Sequence, residues 1–456
     1  MAQNPVREEN KMGVMPVNKL LISMSLPMIL SMLVQALYNI VDSIFVSQIN
    51  QDALTAVSLA FPMQNLMIAV ASGTGVGINS MLSKALGEKD FDKSDKIARN
   101  GIFLSLCSYV VFLIIGVFFT NLYYSSQAEG YQTIIDYGSG YLQPVLILSF
   151  GLFAQITFER LLQSTGKTMY SMITQATGAI INIILDPILI FGWLGIPPMG
   201  IAGAAYATVI GQIIAAVLGA IFNVRKNREI SLDFRKFRPS GAAIKRIYSV
   251  GIPSIIMISI TSIMNFGMNI ILIGMNATAA TVLGVYFKLQ SFVFMPVFGL
   301  NNGMIPIVSY NYGAQKKKRI MQTFKLSVMY AAIIMAAGTL LFHIIPEILL
   351  TMFNPTPELI ELGAPALRII SLSFIFAAFG IISSGMFQAL GNGIMSLIVS
   401  VVRQLVIILP VAYLLSLTED VNLVWLAYPI AESISVVVSV LFMIRIYKKE
   451  IRVIHD

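Results

Sequence analysis

The amino-acid sequence predicts an all-α polytopic membrane protein: twelve transmembrane helices in two pseudo-symmetric six-helix bundles, arranged as a parallel repeat. Three observations carry that expectation. Of 456 residues, 57% are hydrophobic and only 11% charged, whereas soluble domains carry about 25% charged residues. Apolar stretches recur twelve times, each long enough for a bilayer that needs roughly 20 apolar residues. The second half also repeats the first. Pro253 follows Pro27 by 226 residues (253 − 27), and the same offset relates Asn39 to Asn265, Gln64 to Gln290, Gly77 to Gly303 and Gly87 to Gly313. Further on, Gln163 and Gly166 match Gln388 and Gly391 at an offset of 225 (388 − 163).

In order, the spans fall at about 20–46, 54–83, 100–123, 137–163, 168–193, 200–222, 248–275, 281–311, 322–346, 362–390, 394–417 and 421–445. The first apolar run is too long for a signal-peptide core and has no cleavage pattern, so it reads as a retained helix. Loop charges orient the bundle. Lys84, Lys89, Lys93, Lys96 and Arg99 follow span 2, and a basic run from Arg225 to Arg246 follows span 6. Lys316, Lys317, Lys318 and Arg319 follow span 8, and Arg445, Lys448, Lys449 and Arg452 follow span 12. The loops after the odd-numbered spans hold no Lys or Arg. The positive-inside rule then places both termini and every even-numbered loop in the cytoplasm. The expected division is a cytoplasmic tail at 1–19, an N-lobe of spans 1–6 at 20–222 and a cytoplasmic basic linker at 223–247. A C-lobe of spans 7–12 at 248–446 and a cytoplasmic tail at 447–456 complete it. An even number of spans per half makes the repeat parallel, with its axis along the membrane normal.

The net charge of +8 is spent on this topology, so a nucleic-acid partner is not expected. Cys107 is the single cysteine, which excludes an intrachain disulfide and a cysteine metal cluster. His343 and His455 are the only histidines, which leaves no His-rich metal site, and His343, near the outer end of span 9, has no acid at helical spacing within that span to suggest an enzyme site.

Four acids lie well inside spans: Asp42, Glu159, Asp186 and Glu432. An acid in hydrocarbon is costly and reads first as functional. Span 5 carries Asn182–Ile183–Ile184–Leu185–Asp186–Pro187, in which Asn182 and Asp186 share a face. Pro187 removes a backbone donor and should bend the helix. Asp42 lies 23 residues beyond Lys19 (42 − 19) and Asp186 lies 19 beyond Lys167 (186 − 167), so at about 1.5 Å per residue the two reach comparable height. Thr208, on the inward-running span 6, falls near the same level. Gln35, Tyr38, Asn39 and Asp42 recur at i, i+3, i+4 and i+7, one polar stripe on span 1, and Thr208 shares a face with Gln212. Two readings fit these stripes: a wet, cation-holding cavity, or polar bonds joining helices 1, 5 and 6. The second half breaks the symmetry. Met268 stands at the repeat position of Asp42, and spans 7 to 11 hold no acid. Glu432 is expected to pair with Arg403, while Lys288 and Arg368 either line a cavity or snorkel outward. Glu159, beside Arg160, is expected to reach water or pair locally.

Twelve spans in two halves, Pro27 and Asp42 in span 1, the Asn182-to-Pro187 motif and GAAYAT at 203–208 together resemble the multidrug and toxic compound extrusion (MATE) family over nearly the whole chain. The pattern is closer to its DinF-like than to its NorM-like branch. The resemblance implies a secondary active antiporter, not an enzyme, in the cell membrane of a bacterium. Such a protein exports lipophilic, often cationic drugs in exchange for inward H⁺ or Na⁺, conferring antibiotic resistance. It also implies that the coupling cation binds near Asp42, Asn182, Asp186 and Thr208 and that span 1 bends at Pro27. A C-lobe Na⁺ site is not expected, because spans 7 and 10 lack the acids that the NorM-like branch places there. No cofactor beyond the coupling ion is expected, and the partners are drugs and lipid around a monomer. The alternative is a flippase for lipid or lipid-linked oligosaccharide of a related two-lobed type, which the twelve-span length and the few interior basic residues disfavour.

Overall fold

The computed structural model describes residues 9–128, 130–235, 237–353 and 355–454. Residues 1–8 and 455–456 of the expected tails and Lys236 of the basic linker lie outside them. Long apolar stretches without water must satisfy their backbone internally, and helices do so segment by segment. The principal elements are α1 (Val17–Ser47), α2 (Gln51–Gly87), α3 (Phe91–Phe118), α4 (Gln132–Ile147), α5 (Phe150–Ser164), α6 (Thr168–Phe191) and α7 (Ile201–Lys226). They are followed by α8 (Gly241–Met275), α9 (Ala277–Gly313), α10 (Lys317–Ile344), α11 (Pro357–Ser371), α12 (Phe374–Ala389), α13 (Gly393–Ser416) and α14 (Ala427–Ile446). Among the described residues ten helices are long and apolar enough to span a membrane, or up to twelve spans when each bent pair counts as one. The bent pairs are α4–α5, at 45°, and α11–α12, at 50°. They occupy the places expected for spans 4 and 10. Large apolar side chains such as Phe266, Leu340 and Val437 are exposed, as a lipid-facing surface requires.

The duplication is written into the backbone. Asn50 caps α2 by accepting from Ala53 N at 2.7 Å, and Asn276, 226 residues on (276 − 50), caps α9 by accepting from Thr278 N at 2.7 Å. Left-handed residues also recur at the repeat offsets: Lys89 with Gln315, Gly166 with Gly391, and Leu194 with Glu419. The Gln–Gly pairs that matched in the sequence are one such turn. Gly166 N donates to Gln163 O and Gly391 N to Gln388 O, both at 3.0 Å, with φ of 85° and 90° that glycine adopts without penalty.

Two compact units follow, and two helices are shared between them. The first unit is built on Leu30–Ile255 and the second on Lys11–Ile29 together with Ile256–Asp456. The start of α1 therefore belongs to the second unit and the start of α8 to the first, a division that differs from the halves drawn by chain order. Each exchanged segment is seated by glycines. In the first unit a Cβ on Gly77 would lie 2.1 Å from Ile247 O, and one on Gly73 2.6 Å from Ile255 N. In the second, a Cβ on Gly303 would lie 2.4 Å from Ser25 Oγ, and one on Gly299 2.6 Å from Ile29 Cα. Only residues without a side chain let backbones approach this closely.

The described parts of the tails and linker are tied to the helices. Lys11–Val14 is a helical turn whose Met12 carbonyl accepts from Asn311 Nδ2 at 3.0 Å. Beyond α14, Glu450 accepts from Asn392 Nδ2 at 2.8 Å. The linker is pinned to α3: Ser231 N donates to Asp95 Oδ1 at 2.7 Å and Ser240 N to Asn100 Oδ1 at 2.9 Å.

Candidate functional site: a buried carboxylate pair

Helices α6 and α7 approach through their glycines. A Cβ on Gly211 would sit 2.6 Å from Gly178 O, and one on Gly203 would sit 2.6 Å from Leu189 O. A tight turn joins the two helices. Gly192 ends α6 with φ of 76°, and Met199 N and Gly200 N donate back to Leu189 O and Ile190 O at 2.9 and 3.1 Å. This close packing sets Thr208 of α7 against Asn182 and Asp186 of α6. All three are buried, Asp186 completely.

The amide of Asn182 is oriented by its surroundings, since an amide is assigned from the bonds it makes. In the orientation that satisfies both ends, Nδ2 donates to Asp186 Oδ2 at 3.2 Å, and Oδ1 accepts from Thr208 Oγ1 at 3.1 Å and Thr208 N at 3.0 Å. Asn182 thus bridges the acid of α6 to α7. Helix α1 completes the cluster: Tyr38 lies within electrostatic reach of both Asp42 and Asp186, and the two acids reach each other. Asp42 Oδ1 and Asp186 Oδ1 are buried and have no hydrogen-bond partner among the described residues. A buried charge without a partner is expensive, so this pair is held most cheaply with a proton or a cation on it. Among the described residues no three His, Cys, Asp or Glu side chains cluster as a metal centre. Two carboxylates with amide and hydroxyl oxygens suit a proton or an alkali cation.

The other residues of the predicted stripes are placed as follows. Gln35 is half-buried and its Oε1 accepts from Gln175 Nε2 at 3.1 Å. Asn39 is exposed and Gln212 half-buried, and no described hydrogen bond ties either to the acids. Pro27 and Pro187 are buried, and α1 and α6 run on as helices through them. Sequence reasoning did not connect Tyr141 of α4 and Gln64 of α2 to this site. Gln64 Nε2 donates to the Tyr141 hydroxyl at 3.1 Å, and Tyr141 is buried within electrostatic reach of Asp42 and Tyr38. Gln64 carried a signal, since it repeats as Gln290, but nothing in the pattern around Tyr141 marked it.

In the second unit Arg403 Nη1 and Glu432 Oε1 pair at 3.1 Å, the pairing expected between spans 11 and 12. Arg368 snorkels to Glu347 at 2.8 Å, and Lys288 lies over the Phe353 ring, 5.8 Å from its centre. Glu159 does not reach water: it is buried, and Oε1 accepts from Gln155 Nε2 at 3.0 Å.

A repeated two-unit helical fold that crosses the membrane many times, with acids buried among its spans, defines a membrane transporter rather than an enzyme. The chain belongs to the MatE family, whose profile matches residues 27–188 and again 253–414. Both ends of the second match stand 226 residues from those of the first (253 − 27 and 414 − 188), the offset found in the sequence. The Multidrug export protein MepA of Staphylococcus haemolyticus (strain JCSC1435) is 29% identical over 89% of each chain. That of Staphylococcus aureus (strain MRSA252) is 24% identical over 94% of each. Among solved structures, an outward-facing multidrug resistance MATE family transporter of the MOP superfamily superposes with a TM-score of 0.91 at 26% identity, covering 97% of this chain and 98% of its own. A MOP superfamily transporter from Pyrococcus furiosus Vc1, whose binding pocket is described as reversed in polarity, gives 0.90 at 26%, covering 97% of this chain and 99% of its own.

Proposed function

We propose that this protein is a secondary active multidrug exporter that moves lipophilic, often cationic organic compounds by alternating access, driven by inward H⁺ or Na⁺. The observation that carries the coupling reading is the pair Asp42 and Asp186, each with a buried carboxylate oxygen that nothing engages. Asn182 bridges Asp186 to Thr208, and Tyr38 lies within electrostatic reach of both acids. A proton or Na⁺ arriving from outside neutralises the pair, which lowers the cost of packing α1 against α6 and α7. Tighter packing disfavours bound drug on that side, and release of the cation to the cytoplasm restores the open arrangement. Such coupling requires only that drug and cation each bind one conformation better than the other.

The same reading places the protein in the bacterial cell membrane with both termini in the cytoplasm, supported by the alternation of basic and neutral loops. It acts as a monomer with drugs as its cargo. The test is dye export from liposomes with a pH gradient and a Na⁺ gradient imposed separately. We expect one gradient to drive export and Asp186→Asn to abolish it. Gradient-driven export at the wild-type rate in Asp186→Asn would remove Asp186 from the mechanism.

A further inference from the structure

The second unit holds a buried polar seam that the coupling pair does not use. Along α14, Tyr428, Glu432, Ser435 and Ser439 fall at i, i+4, i+7 and i+11, one face of the helix. All four are buried, none more than 8% exposed. Each carries a polar atom with no hydrogen-bond partner among the described residues: the Tyr428 hydroxyl, Glu432 Oε2 and the two serine Oγ atoms. Buried polar atoms are nearly always paired, and a row of orphans points to water or an ion. The neighbouring helices extend the seam. Gly380 of α12 faces Glu432 Oε2, since a Cβ there would stand 3.8 Å away, and Ser383 Oγ, on the next turn, is another orphan among the described residues. In α13, residues Val402–Ile408 widen into a π-helical turn. Such turns are frequent at functional sites, and this one carries Arg403 to Glu432 Oε1.

We propose that this seam is a second, water-filled proton site, in which Glu432 Oε2 takes up and releases a proton and the hydroxyls of Tyr428, Ser435 and Ser439 line the water that carries it. Arg403 selects the ligand. A metal cation at Oε2 would need several oxygen ligands and would face the guanidinium already bound to Oε1. A proton needs one oxygen and no shell. Uptake forms one O–H bond at Oε2, the carboxylate becomes a neutral acid and Arg403 keeps its charge, so the pair passes from zero to +1. Release returns the proton to the seam water. The titratable groups around Glu432 are Arg403 from α13, Tyr286 from α9 and Tyr428 on its own helix. Helix α12 carries no charged residue and faces Oε2 with Gly380, and the charges of α11 are Glu358, Glu361 and Arg368, the last held by Glu347. From Tyr428 to Ser439 the seam runs about 16 Å along α14, roughly half a hydrocarbon core, toward the helix end that bears Arg445.

The proposal rests on the chain being a cation-driven exporter, and its test separates the two. Infrared difference spectra of the membrane-embedded Asp42→Asn/Asp186→Asn double variant, taken between about pH 5 and about pH 8, read carboxyl protonation without any transport. We expect a protonated-carboxyl band that is lost on adding Glu432→Gln; spectra unchanged by that substitution overturn the proposal. Because Glu432→Gln leaves Arg403 without its counter-charge, Tyr428→Phe and Ser439→Ala form a second arm that keeps the ion pair. In liposomes both should slow proton uptake coupled to dye export several-fold at unchanged dye affinity, and wild-type uptake in both overturns the proposal. If wild-type protein moves no dye under any gradient, the export reading falls while the infrared result still decides the seam.

Discussion

Asp186 sits where a single atom matters. Its Oδ2 is engaged by Asn182 and its Oδ1 by nothing. In Asp186→Asn, the side-chain carbonyl can still accept from Asn182 while the group can no longer carry a negative charge. The variant should reach the membrane at wild-type levels, by quantitative immunoblot, and confer no drug resistance on a pump-deficient host. Thr208 is a second single-atom test, because its hydroxyl donates to the Asn182 side-chain oxygen. Thr208→Val keeps the shape but takes a donor from the buried Asn182 amide, at about 1–3 kcal/mol for an unsatisfied group. We expect a lower Tm in detergent and weaker cation dependence of export, whereas an unshifted Tm with normal coupling would remove Thr208 from the cluster. Asp42, Asn182, Asp186 and Thr208 were legible as a cluster because acids are rare inside apolar spans and helical spacing groups what lies near them. Tyr141 was not, because its relation to Asp42 depends on how α4 is placed.

At the scale of elements, glycines and broken turns decide the architecture. Gly211 of α7 faces Gly178 O with no room for a methyl group, so Gly211→Ala must push α6 and α7 apart or strain them. Overpacking of this kind costs about 1–3 kcal/mol. The measurement is Tm together with export, and both should fall while Gly274→Ala, where a Cβ would meet nothing within 4 Å, leaves both unchanged. The two bent spans were drawn from sequence as continuous. Their breaks fall on Leu148–Ser149 and Leu372–Ser373, repeat-related pairs with no proline at the break. In the second, the Ile370 carbonyl accepts from both Ser373 N and Ser373 Oγ, a local bond that competes with the helix ladder. Hydropathy is blind to such a competition, because serine within an apolar run barely changes the average.

Across the whole molecule, the proline positions coincide with the borders of the compact units. Pro27 precedes the border after Ile29, and Pro253 precedes the border after Ile255. Each proline lacks the donor that would close its turn, so each marks a point where a shared helix is locally weak. Pro27→Ala and Pro253→Ala should therefore behave alike: a restored backbone bond, slower export in liposomes and a Tm no lower than wild type. A defect in only one would show that the duplication does not extend to the working cycle.

Composition, span count, repeat offset and the identity of the buried acids were all determined by the sequence, because insertion into a bilayer is governed segment by segment by apolar length and charge. Which helix starts exchange between the units, where spans 4 and 10 break, and which oxygens are left unpaired around Asp42, Asp186 and Glu432 were decided only by tertiary structure. Those features depend on how closely backbones can approach and which polar groups then meet, and both are properties of pairs of helices rather than of any one stretch of chain.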